Sequence, residues 1–196
     1  MDIIRKTPDD FRVPPNFRDY ERTRAGFHWS DVPPLCEGMG PGGCNIAFAA
    51  VDRHADGPAA TRTALRFIPE PGPDGALASQ DLSYAELARS ARRFTNVLRS
   101  LGIDKGDKVF TIMGRRPELY ITILGALRNG SIVSPLFSAF GPEPIATRVT
   151  IGEATVLVTT AAIYHRKIVK IRDQLTSVRH IFLVDDDKAD DGERGT

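Results

Sequence analysis

The chain has 196 residues, 41% hydrophobic and 26% charged, with a formal net charge of +1. This is the composition of an ordinary soluble globular protein with enough residues to bury a core. A near-neutral balance excludes a basic nucleic-acid or membrane-surface footprint, and two cysteines, Cys36 and Cys44, exclude a disulfide framework.

Residues 1–44 read as an extended, mostly irregular lead that packs on the body, rich in proline and with a glycine cluster over 38–43. Its start lacks the apolar core of a signal peptide. Asn45 is an N-cap for a short helix to about His54. Residues 62–68 alternate and read as a strand, followed by a loop or hairpin tip over 69–78. Ser83 and Glu86 form a capping box. Leu87, Phe94, Val97, Leu98 and Leu101 then recur at helical spacing until Gly102 closes the helix.

Strands and helices alternate from there. Strands are expected over 108–113, 132–137, 155–160 and 180–184, and helices over 117–129, 142–151 and 161–175. Pro117 opens one helix and Gly130 ends it. Short apolar strands separated by helices predict parallel pairing and a doubly wound α/β sheet over 45–184. Residues 185–196 form an acidic, polar tail whose one apolar residue is Ala189, so the chain stops just after a buried-type strand.

Several patterns exclude chemistry. No Walker loop and no Gly-x-Ser-x-Gly elbow is present. The glycines of 38–43 follow no strand. His28, Cys36, Cys44 and His54 match no zinc spacing, so no metal site is expected. Asp52, Arg53 and His54 bring three triad types together, but consecutive helix residues point in different directions. No catalytic residue is assigned. Anion sites in such sheets lie in the turns after strand ends. Here these are the turn 113–117, with Arg115 and Arg116, and the helix after Thr160, with His165, Arg166, Lys167 and Lys170.

Four stretches resemble the acetyl-CoA synthetase branch of the adenylate-forming, AMP-binding superfamily. They are Asn45–His54 with its Asp-Arg-His ending, Asp81–Val109, Met113–Glu118 and Leu136–Glu143. The order and spacing agree from about residue 27 to residue 184. The resemblance implies the N-terminal part of the large domain of an AMP-forming acyl-CoA ligase. It also implies an enzyme that uses ATP, Mg and CoA on acetate or another short carboxylic acid. The start without a signal-peptide core, the lack of a bilayer-spanning apolar stretch and the two cysteines predict a cytoplasmic location. The family's ATP loop, hinge acid and adenylating lysine lie later in such enzymes. The resemblance therefore implies a fragment inactive by itself, holding no cofactor tightly and completed by the remainder of the ligase. A split subunit completed by a second chain, or a non-catalytic module of the same fold, are the alternatives. No membrane or nucleic-acid partner is expected, and exposed apolar surface would favour a homodimer. The resemblance places CoA contacts at Arg166 and Lys167 and at the turn Phe137, Ser138, Ala139, Phe140 and Gly141. Family members often carry two glycines where Ser138 and Ala139 stand.

Overall fold

The structure is a computed structural model that describes residues 7, 10–13, 17–31, 44–71, 75 and 78–184. The glycine cluster 38–43, Cys36 and the acidic tail 185–196 lie outside the described residues. The chain forms two compact units, Met1–Leu35 and Cys36–Thr196. In the first, helix α1 (Tyr20–Gly26) is capped by Asp19, whose side chain accepts from the Arg22 amide. Its aromatics pair edge-on, Phe17 with Tyr20 at 6.0 Å and Phe27 with Trp29 at 5.1 Å.

The second unit opens with α2 (46–55), wound in its middle as a π-helix over Phe48–Asp52. Asn45 caps it as its sequence position requires, accepting from the Ala47 and Phe48 amides at 3.0 and 3.2 Å. The hairpin β1 (Thr63–Phe67) and β2 (Gln80–Ser83) pairs antiparallel. The β2 strand is four residues long, too short to show a period of its own. Helix α3 (Tyr84–Ser100) begins with the complete capping box between Ser83 and Glu86. That hydrogen bonding, the Ser83 hydroxyl first and its backbone amide second, holds the Glu86 carboxyl below its usual pKa.

Strands β3 (Lys108–Ile112), β4 (Ile132–Leu136), β5 (Val156–Thr160) and β6 (His180–Val184) make one parallel sheet in the order β4-β3-β5-β6. Alternation along the strands feeds two cores. Phe110, Ile112 and Leu157 face α5 (Pro142–Ile151) and α6 (161–174). Val109, Met113, Val156 and Val158 face α3 and α4 (Pro117–Asn129). Both faces are covered, so the strands read as continuous apolar runs. Helix α2 and the hairpin pack on the outer side of α3 and α4 around Val51, Leu87 and Ala88.

Two observations explain how α3 and α4 sit so close. A Cβ on Gly125 would stand 2.8 Å from the Ala91 carbonyl and 2.9 Å from the Phe94 ring. The Thr95 hydroxyl fills its need for a partner on the Gly125 carbonyl, at 2.8 Å. Gly130 ends α4 at φ 84°, the left-handed conformation expected of such a cap.

One sequence expectation changes in detail. The helix after β5 is a mixed winding: α over Ala161–Ile163, π over Tyr164–Ile168 and 3-10 over Val169–Gln174. Among the described residues, no helix is long and apolar enough to cross a membrane.

Candidate functional site

The strand order determines where a ligand site forms. The direction in which successive strands are added to the parallel sheet reverses beside β3, because β4 lies on one side of it and β5 on the other. Ligands of open α/β sheets occupy the crevice beyond the carboxyl ends of strands at such a point. Register places Ile112 beside both Leu136 and Thr159, so the turns after β3, β4 and β5 emerge at one edge.

After β3 comes Met113-Gly114-Arg115-Arg116. Arg115 is exposed, and Arg116 Nε donates to Glu118 Oε2 at 2.7 Å. After β4 comes the turn Phe137–Gly141. A groove of about 1000 Å³ runs between these turns and the hairpin, lined by Phe67, Glu70, Arg115, Tyr120, Phe137 and Ser138 among others.

Four contacts hold the Phe137–Gly141 turn. The Phe140 amide donates to the Phe137 carbonyl at 3.1 Å, and the two rings meet edge-on at 5.6 Å. The Arg148 guanidinium lies 4.2 Å from the centre of the Phe140 ring. Lys167 Nζ donates to the Ser138 carbonyl oxygen at 2.7 Å. Ser138 and Ala139 are absent from the residues with positive φ, so this turn makes no conformational demand for glycine.

Lys167 is 8% exposed. Arg166, beside it, is exposed, as is Lys170. Lys170 borders a shallow depression of about 450 Å³ with Gly141 and Glu143. The structure thus joins Lys167 directly to the predicted turn, and leaves Arg166 on the outer side of the same helical segment. Sequence reading missed the inward course of Lys167 and the Arg148 contact. A signal was present for the first: Lys167 falls in line with Ile163 and Ile171, four residues on either side, in an apolar stripe.

The Asp52-Arg53-His54 run is structural. Asp52 is 6% exposed; it accepts from Arg92 Nε at 3.0 Å and from Arg128 Nη1. His54 accepts from Arg53 Nε at 3.1 Å and lies 5.0 Å from the Tyr84 ring. Among the described residues, no three His, Cys, Asp or Glu side chains group as metal ligands would.

The family profile described as AMP-binding enzyme matches residues 51–196. The chain belongs to the AMP-binding enzyme family. It is 35% identical over 170 residues to an acetyl-coenzyme A synthetase of Bacillus subtilis, covering 86% of this chain and 28% of that one. It is 36% identical over 132 residues to a 3-hydroxypropionyl-coenzyme A synthetase of Metallosphaera sedula, covering 67% of this chain and 19% of the relative. The solved structure of a Brucella canis acyl-CoA synthetase superposes with a TM-score of 0.68 at 31% identity, covering 87% of this chain and 29% of that one. The chain therefore spans less than a third of these relatives' length, in the N-terminal part of this AMP-binding family.

Proposed function

We propose that the chain is the N-terminal part of an AMP-forming ligase that joins acetate or another short carboxylic acid to CoA, working in the cytoplasm. In the parent reaction a carboxylate oxygen attacks the α-phosphorus of ATP, giving an acyl-adenylate and releasing pyrophosphate. The CoA thiol then attacks the acyl carbon and AMP leaves. The observation that carries the reading is the Lys167–Ser138 hydrogen bond, which ties the Phe137–Gly141 turn to the helical segment bearing Arg166. Both predicted CoA-contact segments thereby meet at the ligand edge of the sheet.

The division of labour reflects the chemistry of each group. Arg166 is an exposed guanidinium, suited to a phosphate of the CoA nucleotide through charge-assisted hydrogen bonds. Phe137, 65% exposed, and Phe140 offer ring surface, and Ser138, Ala139 and Gly141 offer backbone, to the pantetheine arm. Mg²⁺ in the parent reaction neutralises ATP phosphates; the described residues offer it no cage, and no ligand to it is assigned within this chain. Residues 45–184 form the α/β subdomain in this reading, with 1–44 as lead and 185–196 as tail. The rest of the ligase covers exposed side chains such as Ile151, 80% exposed, and Phe137. Sedimentation of the chain alone separates that arrangement from a self-paired dimer.

The isolated chain is expected to give no ATP–pyrophosphate exchange with acetate, because it carries no phosphate-cradling loop; exchange above background would overturn this. In the completed enzyme, Arg166→Ala is expected to weaken CoA binding by about 1.5–3 kcal/mol, read by calorimetry. Unchanged CoA affinity would remove Arg166 from the site.

A further inference from the structure

Two neighbouring basic residues, Arg166 and Lys167, have opposite surroundings. A lysine near a protein surface normally runs its stem along apolar groups and keeps its ammonium in water. Lys167 does otherwise: it is 8% exposed, and its ammonium meets the Ser138 backbone carbonyl oxygen at 2.7 Å. Each hydrogen bond of a buried ammonium replaces hydration it has lost, so the group is held in place. The Ser138 carbonyl is thereby fixed relative to α6.

Lys167 faces inward from a helix of mixed winding. An α turn over Ala161–Ile163 passes into a π segment over Tyr164–Ile168 and then into a 3-10 segment. A π turn inserts one residue and rotates the downstream part of the helix by about 100° relative to continuous α winding. Insertions of this kind concentrate at functional sites. Along this segment Lys167 lies in line with buried Ile163 and Ile171, four residues on either side, and beside buried Ile168, whereas Arg166 is exposed.

The turn on the other end of this hydrogen bond is held by local contacts and by Phe140, which packs against the core cluster of Ile145, Val149 and Ile163. The Phe140 amide reaches back only three residues to Phe137, and the Arg148 guanidinium over the Phe140 ring comes from the helix that the turn itself leads into. Lys167 stands 29 positions further along the chain than Ser138 and belongs to a different helix. It adds to the packing of Phe140 a long-range hydrogen bond that fixes the Ser138 carbonyl against a second helix.

We propose that Lys167 is a positioning residue: its ammonium holds the Phe137–Gly141 turn in the conformation that receives CoA, and Arg166 beside it is the cation that faces the phosphate. The consequence for CoA rests on the reading of this turn as a CoA contact; the hold on the turn does not.

Hydrogen exchange of the Phe140 amide, followed by NMR in the 196-residue chain, reads the hold directly. Lys167→Met keeps the stem and removes the donor. It is expected to speed Phe140 exchange about tenfold, with the Val158 amide of β5 within about twofold of wild type. Lys167→Arg restores a donor and is expected to recover most of the protection. Lys167→Gln, a neutral donor, serves as the second variant if the methionine form does not fold. In the completed ligase, Lys167→Met is expected to raise the KM for CoA about tenfold while kcat at saturating CoA stays within about twofold, the pattern of lost ground-state positioning. Arg166→Ala is expected to weaken CoA binding with Phe140 exchange unchanged. Unchanged Phe140 exchange in Lys167→Met, or acceleration spread equally to Val158, would overturn the proposal. Faster Phe140 exchange with an unchanged KM for CoA supports the hold and overturns the reading of the turn as a CoA contact.

Discussion

Asp52 and Lys167 are two charged side chains buried to nearly the same degree, 6% and 8% exposed, with different partners and different places in the fold. Asp52 meets two guanidiniums, of Arg92 on α3 and Arg128 on α4, so one carboxylate on α2 joins three helices. Its charge is compensated, and it lies on the outer side of the α3 and α4 layer, away from the strand ends. Lys167 meets a neutral carbonyl in a turn at the carboxyl edge of the sheet, where ligands of such folds sit. Burial of a charge therefore does not by itself mark a functional residue. What separates them is where the partner lies: on neighbouring helices for Asp52, and in a ligand-side turn for Lys167.

The largest expected effect breaks the structural half of this comparison. Asp52→Asn leaves Arg92 and Arg128 without their shared counter-charge and is expected to cost about 3 kcal/mol in urea unfolding. Both arginines keep some contact with water, which limits the loss. A cost below about 1 kcal/mol would place Asp52 among ordinary surface ion pairs. Gly125→Ala tests whether packing matters as much at the same joint. The added methyl would meet the Ala91 carbonyl and the Phe94 ring, and a cost of about 2 kcal/mol is expected. A loss as large as that of Asp52→Asn would show that close approach and the carboxylate contribute equally.

Lys167→Met sharpens the contrast. Exchanging a buried ammonium for an apolar side chain of similar length is expected to change unfolding free energy by less than about 1 kcal/mol. The loss should appear in the turn instead. Equal destabilisation by the Asp52 and Lys167 variants would erase the distinction drawn between them.

The smallest effect concerns pH. Hydrogen bonds from Ser83 lower the folded pKa of Glu86 below 4.5. A lowered carboxyl contributes stability that is present above its unfolded pKa and lost as pH falls through its folded value. Glu86→Gln is therefore expected to lower Tm slightly at neutral pH. The difference should fade in acid as the wild-type carboxyl protonates. A difference that persists unchanged at the acid end would mean that the cap acts through geometry alone.

Most of the frame was legible in the residues. Ser83 with Glu86, Pro117, Gly102 and Gly130 marked helix ends, and the structure places each of them there. Local chemistry suffices for this, since caps and left-handed termini involve residues only a few positions apart. The β2 strand was not legible, because it exists through pairing with β1, as at Phe67 with Gln80, and not through its own pattern. The π winding of α6 was hidden because the buried positions Ile163, Lys167 and Ile171 keep the four-residue spacing that a continuous α-helix would show.

The amino-acid sequence by itself determined the alternation of strands and helices, the parallel direction of the sheet and the turns where a ligand site would form. These depend on side-chain period and on backbone caps, which act over a turn or two of chain. Only the tertiary structure decided the strand order, the partners of Asp52 at separations of 40 and 76 residues, and the reach of Lys167 to Ser138. Such contacts join segments that no local pattern pairs, and they form only once packing has brought separate helices and turns within hydrogen-bond distance.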